Sequence, residues 1–406
     1  MATECHTPLR FGFQPKIIVD FNGGEITSDP GLLLLRQFDG QLSLTKKLWG
    51  LFNDWRNPDL IEHHTHEMLC QRIYQIAAGY EDCNDADLLR TDPTFTTIVG
   101  KPDPLASQPT LSRLENHADW QSIVRLRDLY LKWFVQYGYG RREVPKEILL
   151  DCDATDDPCH GQQVFAFFHG KYGQHMYHPL FFFEGHTGCL LSARLRPGNA
   201  HAAQGIPSEL RRLVPIVQRR FPNSQISYRA DAGSAVPEIY TTLESFGVLY
   251  AIGIASNSVF KRRIERWLKQ ACRKYARTQK AVKVFYSFRH RAKSWRRQRR
   301  IVVKIEVSAL GSNVRYVVTN RPGRAQEIFH WYDHRGECEN RIKEFKLDLL
   351  GDRLSCHLYR ANAFRLQLHA LCYQLLSLFR RHVLRRTELG RGVRHYNLIN
   401  LDSPLF

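Results

Sequence analysis

The sequence predicts an α/β protein in which a mainly helical N-terminal domain precedes a strand-rich core. Three observations carry this. Apolar residues recur at helical spacing through most of residues 28–137, short apolar runs alternate with amphipathic stretches between 147 and 255, and strand-like runs dominate the second half of a strongly basic segment, 256–320. The same shifts set the boundaries: 1–140 as the helical domain, 141–255 as the first part of the core, 256–320 as a β-rich insertion, and 321–406 as the rest of the core with a terminal helix.

Taken in order, residues 16–27 (KIIVDFNGGEIT) read as two short strands around an Asn-Gly-Gly turn. Ser28, Asp29 and Pro30 then make a helix start. Helical spacing continues over 32–38, 48–55 and 63–80, and a short helix over 84–90 ends in the loop TDPTF. Residues 107–114 (SQPTLSRL) open with a capping serine and small polar side chains. That suits either the reading helix of a helix-turn-helix or an ordinary capped surface helix. A long amphipathic helix over 119–137 closes the domain.

Strands follow at 148–154 (ILLDCDA), 175–185 and 189–195, then a helix over 208–221, a strand over 225–230 ending at Asp231, a helix over 236–246 and a strand over 249–255. A basic helix at 261–280 leads into the strand-like runs of the insertion. Near the end, Phe364, Leu368, Leu371, Leu375 and Leu378 keep helical spacing, as in a core-capping helix.

Composition narrows the function. Of the 406 residues, 43% are hydrophobic, enough for a sizeable core, and 58 Lys and Arg against 40 Asp and Glu give a net charge of +18. Such an excess points to a polyanionic partner, nucleic acid before membrane. The start of the chain has no basic segment followed by an apolar run, and no stretch reaches a membrane span, so a cytoplasmic protein is expected. The 10 cysteines form no C-x-x-C pair, which argues against a disulfide framework or a zinc site. In the basic segment, Trp267, Tyr275, Tyr286 and Trp295 interleave with Lys and Arg, a mixture suited to phosphate contacts plus base stacking.

The stretch 332–346, YDHRGECENRIKEFK, is the most specific. As a helix it would place Tyr332, Arg335, Glu339 and Lys346 within roughly 60° of one line, while Asp333, Glu337 and Glu344 point away. A solvated helix with i, i+4 charge pairs is the plain alternative. The spacing resembles the Y-R-E-K signature of DDE-type bacterial insertion-sequence transposases, enzymes with a ribonuclease H-like catalytic core. Three strands, helix, strand, helix, strand is the element order of that core, whose first and fourth strands are neighbours. Asp153 and Asp231 stand at the ends of those two strands. Asp153, followed by Ala154 and Thr155, resembles the D-x-T pattern of the family's first aspartate, and Asp151, on the same strand face, stands behind it. Asp231 precedes Ala232 and Gly233 as the second aspartate does, although Ser234 departs from the pattern. The basic insertion falls between the second Asp and the Glu.

The resemblance implies that Asp153, Asp231 and Glu339 are catalytic and hold two Mg²⁺ ions, with Mn²⁺ able to substitute. It implies that Tyr332, Arg335 and Lys346 grip DNA phosphates. In the insertion, Trp295 is the candidate to stack on a displaced base, flanked by Arg296 and Arg297. The implied partners are double-stranded DNA, both terminal inverted repeats and target, and further copies of the chain on that DNA, in a bacterial cytoplasm. A metal-dependent nuclease without strand transfer and a non-catalytic DNA-binding protein are the alternatives.

Overall fold

The computed structural model describes residues 9–11, 14–19, 27–52, 54–101, 104–141 and 143–386. The Asn-Gly-Gly turn, the strand expected after it and the final residues LDSPLF lie outside the described residues. A ribbon of β1 (Leu9–Phe11) and β2 (Gln14–Val19) precedes six helices: α1 (Gly31–Leu42), α2 (Thr65–Ala77), α3 (Ala86–Leu89), α4 (Pro93–Val99), α5 (Gln108–His117) and α6 (Trp120–Tyr137).

Two local expectations are corrected here. The helix expected over 48–55 is absent, because a single 3₁₀ turn, Thr45–Leu48, gives way to a bend in which Gly50 takes φ +71°, outside the helical basin. The loop TDPTF is instead the start of α4. Asp92 accepts hydrogen bonds from the backbone N–H of Thr94 and Phe95, with Pro93 in the first turn, so Asp-Pro opens a helix rather than closing one.

The core begins with β3 (Glu147–Ala154), β4 (Asp157–Pro158), β5 (Phe167–His169), β6 (Gln174–Tyr177), β7 (Leu180–Glu184) and β8 (Leu190–Arg194). It continues through α7 (Ile206–Arg220), β9 (Gln225–Ala230), α8 (Pro237–Ser245), β10 (Leu249–Ile254) and α9 (Ser258–Thr278). Then come β11 (Val282–His290), β12 (Arg299–Ser308), β13 (Gly311–Thr319), α10 (Ala325–Asp333), α11 (Gly336–Leu347) and α12 (Tyr359–His382). The single strand expected over 175–185 is broken at His178 and Pro179, since proline brings no N–H to a ladder. Its first half, β6, pairs with β4 and β5 in a small separate sheet, and its second half, β7, enters the main one.

That main sheet is mixed and eight-stranded, in the order β11-β12-β13-β10-β9-β3-β7-β8. β3 and β9 are parallel neighbours, with Cys152 opposite Ala230, so the next residues follow side by side: Asp153, still paired with Phe181 of β7, and Asp231, just past the end of β9. The basic insertion does not hang from the sheet but lengthens it. β13 runs antiparallel to β10, with Ile254 opposite Tyr316, and β12 and β11 follow outward. Side chains alternate across these strands: Ile301, Val303 and Ile305 share the core with α9, while Val302 meets Phe329 of α10 on the opposite face.

Helix α12 is more than a cap. It is buried along nearly all of Ala361–Phe379, packing against α2, α5 and α6 on one side and β8 on the other. One hydrophobic cluster therefore runs from Leu32 of α1 to Val318 of β13. Buried Glu115 of α5 fastens it, paired with Arg72 of α2 at 3.1 Å and with Arg365 of α12 at 2.6 Å. Among the described residues no helix is long and apolar enough to cross a membrane.

Candidate active site

Alternation along β3 turns Asp151 and Asp153 to the same face, the one α11 packs on. Asp151 is fully buried and held by a two-pronged bond from Arg229 of β9, 2.7 Å from each nitrogen, with Arg341 of α11 at 3.6 Å. Both of its oxygens are engaged by the guanidinium and it is closed off from solvent, so Asp151 is not open to a ligand. Asp153, one step nearer the strand end, keeps 14% of its side chain exposed. Asp231 caps the 3₁₀ turn Ala232–Ser234, accepting the N–H of Gly233 at 3.0 Å, which aims its carboxylate beyond the sheet edge.

The helix expected through 332–346 is broken. α10 ends at Asp333 and α11 begins at Gly336, and across the join the N–H groups of Arg335 and Cys338 bond three residues back, to Tyr332 and Arg335. Gly336, a poor helix residue, sits at the seam. The result is two helices in place of one straight stripe. Arg335, at the start of α11, reaches both Asp153 Oδ2 (3.1 Å) and, one turn along, Glu339 Oε1 (2.6 Å). A guanidinium thus joins carboxylates from the first strand and the third acidic motif. Tyr332, at the end of α10, lies against β10. A Cβ at Gly253 would come within 2.6 Å of its hydroxyl and 3.0 Å of the Ala232 nitrogen, so only glycine allows this approach.

Asp231, Tyr332 and Glu339 line one open cavity of about 500 Å³, together with Gly253, Ser256 and Arg315. Arg315, on β13, was not foreseen. It pairs with Asp333 at 3.1 Å and enters the cavity only because the insertion extends the sheet past β10. No local signal in VRYVVTN marks it.

Other expected contacts fall elsewhere. Lys346 lies 11 residues beyond Arg335, roughly 16 Å along a helix. Its ammonium is held by the Asp156 carboxylate at 3.2 Å and Asp352 at 3.6 Å, on a second cavity with His160 and His357. Trp295 is buried, packed against Tyr240 and His290 with the Arg299 guanidinium over its ring, so stacking on a displaced base is corrected: its faces are already taken. Of its neighbours, Arg297 pairs with Glu244 and Arg296 is exposed. Asp157, next to Asp156, is a buried residue of β4.

The electrostatics favour an added cation. Burial, together with the charge of Asp231, pushes Asp153 up to about 6, while Arg335 pulls the other way. Carboxylate oxygens such as those of Asp153, Asp231 and Glu339 are the donors a hard divalent ion takes. As placed, Asp153 and Glu339 hold a guanidinium, and among the described residues no group of three His, Cys, Asp or Glu is gathered closely enough to hold a metal ion.

The class to which this basic α/β chain belongs is that of transposases with a DDE domain, as the match over nearly its whole length shows. The particular family is "Transposase DDE domain group 1", whose model matches residues 9–395; the chain belongs to it. Among solved structures, the chain is similar to a piggyBac transposase synaptic complex with hairpin DNA, at 11% identity over 92% of this chain and 80% of that one, with a TM-score of 0.46. Two Mos1 transposase paired-end complexes also match. One, with the left transposon end, does so at 11% identity over 55% of this chain and 68% of that one, TM-score 0.19. The other, with Mn, does so at 12% over 61% and 83%, TM-score 0.18. No curated protein sequence matches.

Proposed function

We propose that this transposase cuts DNA at the ends of an insertion sequence and joins the freed 3′-hydroxyl to target DNA, with divalent ions, Mg²⁺ or Mn²⁺, held by Asp153, Asp231 and Glu339. The observation that carries the reading is the convergence of Asp153 and Glu339 on one guanidinium, with Asp231 beside them at the end of the adjacent strand. The order β8-β7-β3-β9-β10 supports a ribonuclease H-like core. When bound, a pair of such ions relieves the charge that gathers on the phosphodiester and activates the attacking oxygen.

The protein's own groups do the rest. Arg335, once released by the two carboxylates, is placed to grip a phosphate oxygen, with Arg315 lining the same cavity. Tyr332, its hydroxyl against the β10 backbone, fixes the cavity wall and offers a donor. Asp151 and Arg229 keep β3 and β9 in register beneath. Lys346 serves phosphates farther along the strand, the N-terminal helices, with Arg113 of α5 exposed, serve end recognition, and copies of the chain assemble on the DNA.

Asp153→Asn, Asp231→Asn and Glu339→Gln are each expected to abolish Mg²⁺-dependent cleavage of DNA carrying the element ends while binding persists. Unchanged cleavage in any one removes that residue from the assignment. Incubating cleaved ends with target DNA separates transposition from simple hydrolysis: joined products are expected, and free ends alone would reduce the activity to that of a nuclease.

A further inference from the structure

Helix α9 carries eight Lys or Arg and a single acid, Glu265. Its apolar residues Phe260, Ile264 and Ala271 are buried against β11 and β12, which fixes the opposite side as the solvent face. At ~100° per residue, Arg262, Arg266, Lys269, Arg273 and Arg277 fall within roughly 80° of one another on that face, over about 22 Å of axis. Glu265 is paired with Lys269, and among the described residues no carboxylate pairs with the other four. A merely solvated face mixes both signs, because like charges at i, i+4 repel. A row of one sign calls for a polyanion to discharge it.

We propose that the solvent face of α9 is a sequence-independent binding surface for duplex DNA. Gly253, Ile254 and Ser256 line the cavity shared with Asp231 and Glu339, and α9 begins at Ser258, so the first turn of the helix starts close to the cavity rim. Arginines and lysines placed to meet phosphates, with no group placed to read a base edge, bind without regard to sequence. The surface favours a duplex over a single strand. Single-strand binding relies on free aromatic faces, and here Trp267 is half-buried and packed on Tyr286, ring centroids 5.0 Å apart. It also favours DNA over an anionic membrane, since a helix lying in an interface needs an exposed apolar side and that of α9 is covered.

The proposal takes from the transposase reading only the identity of the polyanion, and its test uses no metal and no cleavage. Full-length protein carrying Arg266→Gln, Lys269→Gln and Arg273→Gln is titrated in EDTA with random-sequence duplex lacking the element ends. Loss of three phosphate contacts should lower the slope of log affinity against log salt by about 2 to 3, and weaken binding roughly 10-fold or more at ~100 mM salt. Melting temperature should hold, because the three side chains are exposed. If it falls, the double variant Arg262→Gln, Arg277→Gln at the ends of the row decides, with a slope change of about 2 expected. Unaltered slope and affinity in a stably folded variant would overturn the proposal, as would tighter binding of single strands or of anionic vesicles than of duplex. Loss of cleavage in the carboxylate variants tests the catalytic reading separately.

Discussion

Arg335 answers to two partners that cannot both have it. In the protein alone it neutralises Asp153 and Glu339, whereas the function proposed above gives those carboxylates to metal and the guanidinium to phosphate. Arg335→Ala should therefore raise the affinity of the DNA-free protein for Mn²⁺, by about 10-fold if the displaced ion pairs are worth ~1.4 kcal/mol. Calorimetric titration reads this directly. The same variant should bind element ends more weakly, with a salt slope smaller by about 0.9. Mn²⁺ affinity left unchanged would mean that the guanidinium does not compete with the ion. The pairing of Arg335 with Glu339 was legible in the sequence because it is an i, i+4 contact, and the neighbourhood of Asp153 and Asp231 because it follows from strand order. The fates of Trp295, Lys346 and Arg315 were not, since each depends on a surface contributed by a distant element: α8, the segment around Asp156, and the extended sheet edge.

Among the elements, the two helices α10 and α11 set the cavity by their break, and β10 sets it by a missing side chain. Gly253→Ala would press a methyl onto the Tyr332 hydroxyl and the Ala232 nitrogen, an overpacking worth about 1 to 3 kcal/mol. Lower thermal stability and reduced cleavage are expected together. Tyr332→Phe should recover part of the lost stability, because it removes the nearer of the two atoms. An equal penalty in both backgrounds, measured as a double-mutant cycle, would show that the phenol is not the obstacle. Periodicity revealed most helices and the strands of the core, since burial of one face repeats at 3.6 or 2 residues. It missed what lies between segments. The pairing of β13 with β10 joins Ile254 to Tyr316 across the whole of α9, β11 and β12, and nothing in the run VRYVVTN distinguishes an extension of the main sheet from a separate one.

At the scale of the molecule, α12 makes the helical part and the sheet depend on each other, and the charges buried around it tie that dependence to pH. Burial alone would raise Glu115 above its ordinary 4.5, but Arg365 and Arg72 outweigh it and hold the group at about 2. His369 of α12 is pushed down to about 3 by burial and then by the same two arginines. Both groups take up protons in the unfolded chain before they do in the native one. Stability is therefore full above about 6.5, falls first as unfolded His369 protonates and then, below about 4.5, as unfolded Glu115 does, and the loss continues towards pH 2. The Glu115 share is about 3 kcal/mol. Glu115→Gln should flatten the limb below pH 4.5 and, by leaving two buried arginines without their anion, cost about 3 to 5 kcal/mol at pH 7. Because Glu115 joins α2, α5 and α12, and α12 lies under β8, acid should release both parts together. Hydrogen exchange on peptides from α2 and from β8 should lose protection over the same pH interval. Peptides of β8 that stay protected after those of α2 have opened would show two separately stable units in place of one shared core.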